Sequence, residues 1–250
     1  MKFQIITNYP IATDSPDHIT PYGVKLNNSK NSNFNKLLYE LFNYNNLNIL
    51  DLGCAGGGFI HDCVQDGHNS LGIEGSNYAK LNKLGCWTLI PDNLQTTDIS
   101  KPFIITNEKE EKVLFDVITA WDVLEHIKES DINTLIKNVL NHLSPQGCFI
   151  CSINVASYIH ALNIKDKDWG IGMHHQNIQD IDWWDRRFAS FGLSNNQKKL
   201  NHFQGQFIRG PGCGCDEFAT EERMKQPNLP IQYQWATIIR FLENKLLFAP

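Results

Sequence analysis

The sequence predicts an α/β protein whose core is a mostly parallel β-sheet. Strand patterns and helix patterns alternate along the chain from about residue 34 to residue 154. The clearest strand, residues 113–121, is rich in β-branched and aromatic side chains. The clearest helix, residues 131–143, carries apolar side chains three and four residues apart. Such alternation implies parallel strands that are joined by right-handed crossovers.

The other elements follow from shorter patterns of the same two kinds. Residues 1–33 are polar and are broken by prolines, so we expect irregular structure there. Gly67 and Gly192 follow apolar helical patterns and are expected to end those helices. We therefore expect helices at 34–42, 59–66, 77–84 and 182–191, strands at 48–52, 70–74, near 98, 148–154, 199–209 and 232–241, and a turn at 144–147.

The composition limits both the class of protein and the class of partner. A chain of 250 residues with 42% hydrophobic residues can bury one sizeable core. Its formal net charge of −5, without a basic stripe, argues against DNA as a partner and favours a small molecule or a glycan precursor. No apolar run reaches the roughly 20 residues that a membrane span needs. The composition does not indicate an oligomeric state.

The cysteines and the N-terminus indicate a compartment. Seven cysteines, an odd number, occur in a chain whose N-terminus lacks a secretory apolar segment. We therefore expect a cytoplasmic protein with free thiols. Cys213 and Cys215 are too sparse for a zinc site, which needs four ligands, and we predict no metal site.

The chain divides into a short N-terminal segment and one domain. Residues 1–33 form either a lid over a ligand or a loose tail, since chain termini are often poorly ordered. Residues 34–250 are predicted to form a single domain. Two polar stretches, residues 155–180 and 210–230, are interpreted as insertions on its substrate side.

A glycine-rich turn after the strand at 48–52 points to the chemistry. It reads Asp51-Leu52-Gly53-Cys54-Ala55-Gly56-Gly57-Gly58, and glycines let the backbone lie against a ligand without a Cβ in the way. A dinucleotide would place its phosphates at the N-terminus of the next helix, where an acid such as Asp51 would repel them. A cofactor that carries a sulfonium and an ammonium group suits that acid. The charge therefore favours S-adenosylmethionine over a nicotinamide dinucleotide.

Two further acids follow the next two predicted strands. Glu74 lies about 20 residues beyond the turn, where an acid can accept hydrogen bonds from ribose hydroxyls. Asp98 follows a further segment and is placed to meet an adenine amino group. Because both candidate cofactors contain ribose and adenine, these acids support a nucleoside cofactor without choosing between the two.

In their order, these motifs resemble those of the class I S-adenosylmethionine-dependent methyltransferases. The resemblance covers roughly residues 47–155, and it implies a three-layer Rossmann-like fold with a seven-stranded, mostly parallel sheet whose last strand is antiparallel. One position departs from the family pattern: Ala55 stands where glycine is usual, and an alanine there is tolerated if its φ is negative. The matching segments are Asp51-x-Gly53-x-x-x-Gly57-x-Phe59, Glu74, Asp98-Ile99, Phe115-Asp116-Val117-Ile118-x-x-x-Asp122-Val123-Leu124-Glu125-His126-Ile127 and Leu143-Ser144-Pro145-Gln146-Gly147.

The resemblance also implies the cofactor, S-adenosyl-L-methionine, and the residues that bind it. Asp51 and the glycine turn would hold the methionine part, Glu74 would bind the ribose hydroxyls, and Asp98 with Ile99 would lie at the adenine. The predicted cofactor-binding residues are Asp51, Gly53, Cys54, Ala55, Gly57, Phe59, Glu74, Gly75, Ser76, Asp98, Ile99, Trp121 and Asp122.

Two histidines are candidate catalytic residues. His126 lies in a loop that faces the methyl acceptor in the family, and histidine is suited to removing a proton near neutral pH. The alternative is that His126 is packed and that Glu125 holds the loop. His175 lies in a second segment that would contact the acceptor. Because adjacent side chains point in different directions, we do not expect His174 and His175 to bind one metal ion together.

The sequence therefore predicts a methyltransferase that acts on a small molecule or a sugar or glycan precursor. Direct in-line transfer to an oxygen or a nitrogen is expected, with most of the rate coming from orientation. Two alternatives stay open. One is a non-catalytic module that binds S-adenosylmethionine or S-adenosylhomocysteine. The other is a nicotinamide-dependent oxidoreductase, which Asp51 and the lack of a Tyr-x-x-x-Lys pair disfavour.

Overall fold

The computed structural model describes residues 1–155, 174–209 and 237–244. Its strands are β1 (Phe3–Ile6), β2 (Asn48–Leu52), β3 (Asn69–Glu74), β4 (Leu94–Thr96), β5 (Ile104–Asn107), β6 (Phe115–Trp121), β7 (Leu143–Asn154), β8 (Leu193–Asn195) and β9 (Thr237–Asn244). Its helices are α1 (Pro16–Ile19), α2 (Tyr22–Leu26), α3 (Ser32–Leu41), α4 (Gly58–Gln65), α5 (Tyr78–Leu81), α6 (Glu129–His142), α7 (Ile181–Ala189) and α8 (Gln197–His202). A 3₁₀ turn covers Leu124–His126.

Seven of these strands form one sheet in the order β4-β3-β2-β6-β7-β9-β8. The first five strands in that order are parallel, and β9 runs antiparallel to both β7 and β8. The predicted fold, a seven-stranded and mostly parallel sheet whose last strand is antiparallel, is confirmed. Because the chain moves from β2 outward to β4 and then returns to β6, the direction of winding reverses between β2 and β6.

Apolar side chains cover both faces of the sheet, which gives the fold three layers. Successive residues of a strand point to opposite faces, so Leu50 packs in one cluster and its neighbour Ile49 in the other. The first cluster includes apolar residues of α6 and α7, and the second includes those of α3 and α4. At the centre of the second cluster, Phe34 is fully buried.

Local signals explain where several helices begin and end. The side chain of Asn31 accepts hydrogen bonds from two amides in the first turn of α3, and Asp180 accepts one at the start of α7. Gly67, with a φ of 90°, directly follows the last turn of α4, as the sequence predicted. The helix α7 ends earlier than predicted, at Ala189, and Gly192, with a φ of 76°, lies three residues beyond it.

Three sequence-based expectations were wrong in detail. Residues 1–33 are not irregular throughout, because β1 pairs with β5 in a separate two-stranded sheet and two short helices follow. Residues 199–209 are not a strand; Asn196 caps α8 there by accepting a hydrogen bond from the Lys199 amide at 3.1 Å. Residues 144–147 do not separate two elements. They lie within β7, where the pairing with β6 jumps from Leu143 to Cys148.

Some predictions fall partly or wholly outside the described residues. The insertion at 155–180 is described only at its ends, and the insertion at 210–230, with Cys213 and Cys215, lies outside altogether. The five cysteines within the described ranges are buried free thiols. Across those same ranges, every helix is too short or too polar to traverse a bilayer.

Candidate functional site

The candidate site lies at the carboxyl ends of the strands, where the winding reverses. Ligands of open parallel α/β sheets bind at such a switch point. Asp51 of β2 pairs in register with Thr119 of β6, so the two residues lie on either side of the reversal. The Thr119 hydroxyl donates a hydrogen bond of 2.7 Å to the Asp51 carboxylate. This pair joins the two strands between which the winding reverses.

The glycine turn that follows β2 takes a backbone path with repeated left-handed residues. Gly53 and Gly57 have φ values of 78° and 80°. A Cβ on Gly53 would overlap a methyl group of Val123, so this position accepts only glycine without rearrangement. The amides of Gly53 and Cys54 donate to the Ile73 carbonyl at 2.7 and 3.0 Å, which fixes the turn against β3.

Ala55 does not have the negative φ at which an alanine would be tolerated in the turn. Its φ is 46°, in the left-handed region, where a side chain with a Cβ costs about 1–2 kcal/mol. Two hydrogen bonds hold it there. Its amide donates to Glu74 Oε2 at 2.8 Å, and its carbonyl accepts from the Trp87 indole at 2.8 Å. Surrounding contacts therefore maintain the turn despite the missing glycine.

Glu74 is buried at the end of β3 and faces the turn. Its second oxygen accepts a hydrogen bond from the Ser76 amide at 3.1 Å. Burial raises the pKa of Glu74, and the amide hydrogen bonds only partly oppose that effect. Burial likewise raises the pKa of Asp51 to about 7, against the Thr119 hydrogen bond and with help from the charge of Glu74. The turn is thus flanked by two buried acids without a cation beside them among the described contacts.

The remaining predicted cofactor residues fall into two groups. Phe59, Ile99 and Trp121 are at most 5% exposed and belong to the two apolar clusters. The others line the ends of β2 and β3 or the turns that follow β4 and β6. They are Cys54, Gly75, Ser76, Asp98 and Asp122.

Within the second group, two acids are already bonded to nearby serines. One Asp98 carboxylate oxygen accepts from both the amide and the hydroxyl of Ser100, at 2.9 and 2.6 Å. Asp122 has a φ of 54°, and Ser152 Oγ both accepts from its amide at 2.8 Å and donates to its carboxylate at 2.6 Å. The structure therefore brings Asp51, Glu74 and the turn together, while Asp98 is held in a separate turn.

The N-terminal segment lies across this edge of the sheet. The Ala12 amide donates to the Gly75 carbonyl at 2.9 Å, and the Gly56 amide donates to the Asn27 carbonyl at 2.8 Å. Further along the segment, Asp17 reaches the loop after β6. Residues predicted to be a lid or a loose tail are therefore in contact with the glycine turn and with the candidate catalytic loop.

Asp17 and two histidines form one half of a polar cluster beside the site. Asp17 Oδ2 lies 2.8 Å from His126 Nδ1, and its Oδ1 lies 3.0 Å from His174 Nδ1. Burial alone would lower the pKa of His126, but the hydrogen bond to Asp17 and the charge of Glu125 outweigh it and raise the pKa. Burial alone would raise the pKa of Asp17, but its contacts with His126 and His174 outweigh that effect and lower it.

Glu125 and His175 form the other half of the cluster. Glu125 is completely buried; one carboxylate oxygen accepts from the Asn154 amide at 3.1 Å, and the other has no hydrogen-bond partner among the described residues. Burial and the neighbouring Asp122 raise the pKa of Glu125 to about 8. Burial and the neighbouring His126 lower the pKa of His175 to about 4. The rings of His126 and His175 meet edge to face, with centroids 4.7 Å apart.

Both candidate catalytic histidines thus lie in one cluster, and sequence reasoning missed three of its members. From the sequence, Glu125 is a residue that holds the loop, Asp17 is only part of the possible lid, and His174 is only the neighbour of the candidate His175. Asp17 and His126 are 109 positions apart in the chain, and no local motif links them. Glu125 could have been recognised from the sequence as a member of the cluster, because it directly precedes His126 in the loop that follows a strand.

A family model described as a methyltransferase domain matches residues 26–209, which is more than half of the chain. The match begins in α2 and ends beyond α8, so it includes the glycine turn, both buried acids and His126.

Curated relatives match over a shorter region. The ubiquinone biosynthesis O-methyltransferase of Rickettsia akari is 29% identical over 143 residues, which is 54% of this chain and 51% of that protein. The protein of the same name from Bartonella tribocorum is 27% identical over 144 residues, or 56% of this chain and 51% of that protein. The chain thus spans about half the length of the curated relatives it matches.

Solved structures resemble the fold over most of the chain. The plantazolicin methyltransferase BamL is 11% identical, with a TM-score of 0.56 over 92% of this chain and 88% of that one. Its counterpart BpumL is 15% identical, with a TM-score of 0.55 over 89% and 85% of the two chains. At these identities the likeness concerns the fold alone. With the family match and the order of motifs along the sheet, it establishes that the chain belongs to the methyltransferase domain family and has the class I, S-adenosylmethionine-dependent type of fold.

Proposed function

We propose that this protein is an enzyme that methylates a hydroxyl group of a small molecule, with S-adenosylmethionine as the methyl donor. The observation that carries the proposal is the pair of buried acids, Asp51 and Glu74, on either side of the glycine turn. Buried carboxylates are expected to be paired with cations or hydrogen-bond donors. S-adenosylmethionine brings an ammonium group, a sulfonium and ribose hydroxyls, which supply both.

The chain's own residues suit this cofactor better than they suit a dinucleotide. The left-handed backbone at Gly53, Ala55 and Gly57 bends the chain sharply between β2 and α4, and the side chains of Val123 and Leu94 fill the space beside the two glycines. Asp51 would hold the ammonium group, and Glu74 would accept hydrogen bonds from the ribose. When bound, S-adenosylmethionine supplies a methyl group made electrophilic by the sulfonium. A pyrophosphate at the same place would face both carboxylates without a counter-charge.

An acceptor hydroxyl also has to lose its proton, and the polar cluster lies where that step is needed. His126 and His175 are near the end of β6, on the methionine side of the predicted site. We retain them as the residues that activate the acceptor, as the sequence predicted. The curated relatives are named O-methyltransferases, which favours oxygen over nitrogen as the acceptor atom. Their names also favour a small aromatic or lipid-like acceptor over a sugar.

The first experiment separates this proposal from its two alternatives by ligand binding. The melting temperature would be measured with S-adenosylhomocysteine and with NAD, since a ligand that binds only the native state raises it. We expect S-adenosylhomocysteine to stabilise the protein and NAD to have no effect. Stabilisation by NAD alone would instead indicate an oxidoreductase.

The second experiment tests for catalysis. Conversion of S-adenosylmethionine to S-adenosylhomocysteine would be followed with a panel of catechols, other phenols, sugars and amines. We expect turnover with a hydroxyl acceptor. The His126→Ala variant should lose turnover while keeping its affinity for S-adenosylhomocysteine. Binding without turnover on any acceptor class would favour the non-catalytic module.

A further inference from the structure

The polar cluster beside the glycine turn contains a second feature besides its histidines. Donor atoms of Glu125, His126 and His175 all lie within 4.8 Å of one another. A second set of three, made of Asp17, His126 and His174, meets the same distance. The two sets share His126, so the question is which of them is built to receive a ligand.

The hydrogen bonds distinguish the two sets. In the Asp17 set, each carboxylate oxygen already contacts one histidine, at 2.8 Å for His126 and 3.0 Å for His174. In the other set, Glu125 Oε2 and His175 Nδ1 are buried and have no hydrogen-bond partner within the part of the chain that is described. Leaving a buried polar atom unsatisfied costs about 1–3 kcal/mol. Two such atoms on residues of the same set therefore indicate a missing ligand.

We propose that Glu125, His126 and His175 bind a divalent transition-metal ion, which activates the acceptor hydroxyl for methyl transfer. A mixed set of imidazole and carboxylate donors suits zinc, iron, cobalt or manganese better than magnesium or calcium. Two histidines and one glutamate leave a coordination position open, as catalytic zinc sites do. The site deepens the proposed function by assigning the two candidate catalytic histidines a ligand role.

Asp17 fits this site as an outer partner. A metal-binding histidine usually donates its other ring N–H to a carboxylate, which fixes the orientation of the ring. His126 contacts Asp17 through Nδ1, so Nε2 is left to face the ion. His174 contacts the other Asp17 oxygen and so fixes the carboxylate. One half of the cluster would thus bind the ion, and the other half would orient His126. The adjacent residues His174 and His175 belong to different halves.

The segment that carries His175 is fixed to the loop that carries the other two ligands. The amides of Gln176 and Asn177 donate to the Glu125 carbonyl at 2.8 and 3.0 Å. The Gln176 side chain donates to the His126 carbonyl at 2.9 Å. Three bonds between segments 50 residues apart hold the donors in place before any ion binds. A site of this kind is preorganised rather than assembled by the metal.

The transfer step balances with the donor already proposed. An acceptor oxygen at the open position loses its proton to water, because a bound divalent ion lowers the pKa of an oxygen ligand. The new O–CH₃ bond forms while the S–CH₃ bond breaks, and the electron pair of that bond stays on sulfur. The products are the methyl ether and S-adenosylhomocysteine.

Metal binding would be measured directly, with Zn²⁺ alone as the probe. The chelator-treated protein would be dialysed against Zn²⁺, and Co²⁺ would be used in parallel because its visible spectrum reports its ligands. We expect one ion per chain. His175→Ala and Glu125→Gln should each weaken binding at least about 100-fold, and Asp17→Asn about 10- to 100-fold. His61→Ala, on α4 and outside the cluster, is the matched control and should bind normally.

Each other outcome would overturn the proposal. No ion on the wild-type protein, or affinities within about twofold of it in both His175→Ala and Glu125→Gln, would exclude this site. Loss of binding in His174→Ala with normal binding in His175→Ala would place the ion in the other set. Stabilisation by S-adenosylhomocysteine verifies that each variant is folded. Methyl transfer that persists in a chelator would refute the metal while leaving the proposed function intact.

Discussion

Asp51 offers the sharpest test of how the site is built, because the same group should destabilise the free protein and bind the cofactor. Burial raises its pKa from the ordinary value of 3.8 to about 7. The folded protein therefore holds this proton more tightly than the unfolded chain does. It follows that the free energy of unfolding declines as pH rises from about 3.8 towards 7, and that the loss is complete above 7.

The size of the effect follows from the two pKa values. Each pH unit between them corresponds to about 1.4 kcal/mol, so the full effect is about 4 kcal/mol. Roughly 2–3 kcal/mol of it falls between pH 5 and pH 8. For a chain of this length, 1 kcal/mol shifts the melting temperature by about 2–4 °C. The perturbation to make is Asp51→Asn, which removes the charge and keeps an oxygen for the Thr119 hydroxyl.

The assay is thermal unfolding of the wild type and of Asp51→Asn at pH 5 and pH 8 without ligand. We take the melting temperature of the variant minus that of the wild type at each pH. We expect this difference to be roughly 5–10 °C larger at pH 8 than at pH 5. Other titrating groups are common to both proteins and cancel in the difference. A difference in melting temperature that does not change with pH would refute the account of a buried, uncompensated acid.

The same variant should lose affinity for the cofactor product. A hydrogen bond to a charged group contributes about 1.5–3 kcal/mol, so S-adenosylhomocysteine should bind about 10- to 100-fold more weakly to Asp51→Asn. Asp116→Asn is the matched control, since Asp116 lies at the opposite end of the sheet, near the start of β6. Its affinity should be that of the wild type. Equal affinities for all three proteins would contradict the role given to Asp51.

Three further predictions concern stability and are checked by urea unfolding. Ala55→Gly should stabilise the protein by about 0.5–1 kcal/mol, because relief of the left-handed strain exceeds the added freedom of the unfolded chain; a loss of stability would show that the methyl group contributes packing. Trp87→Phe should cost about 1–3 kcal/mol, because the buried Ala55 carbonyl loses its indole donor; an unchanged midpoint would mean that water replaces that donor. Phe34→Ala should cost about 3–5 kcal/mol, since a fully buried ring is removed from an aromatic cluster; a cost below 1 kcal/mol would show that the core collapses around the gap.

The central sheet could be predicted because its signals are local and repeated. The strand at β2, the glycine end of α4 and the strand at β6 each follow from a few neighbouring residues. The edge of the sheet could not be predicted in this way. β8 is only three residues long, and the segment that looked like a late strand became α8 because Asn196 caps a helix there.

The candidate site likewise has a part that local sequence signals predict and a part that they do not. Asp51, the glycine turn and Glu74 follow strands directly, so their approach to one another is implied once the strands are parallel. The contact of Asp17 with His126 and His174 depends on how the N-terminal segment and the segment at 174–180 pack over the sheet edge. Packing of that kind leaves no periodic pattern in the sequence. The cluster therefore appears only when the chain is folded.

The two halves of the site share a physical property that links stability to function. Around the turn, Ala55 is held in a strained conformation and Asp51 is buried without a counter-charge. In the cluster, a completely buried Glu125 keeps one oxygen unpaired within the described contacts. Each feature makes the free protein less stable, and the charges of the two acids, unlike the strain at Ala55, are compensated when a positively charged ligand binds. The free protein therefore holds these groups in place at a cost in stability, and its ligands bind without further rearrangement. Alignment of a methyl donor with its acceptor requires such a preorganised site.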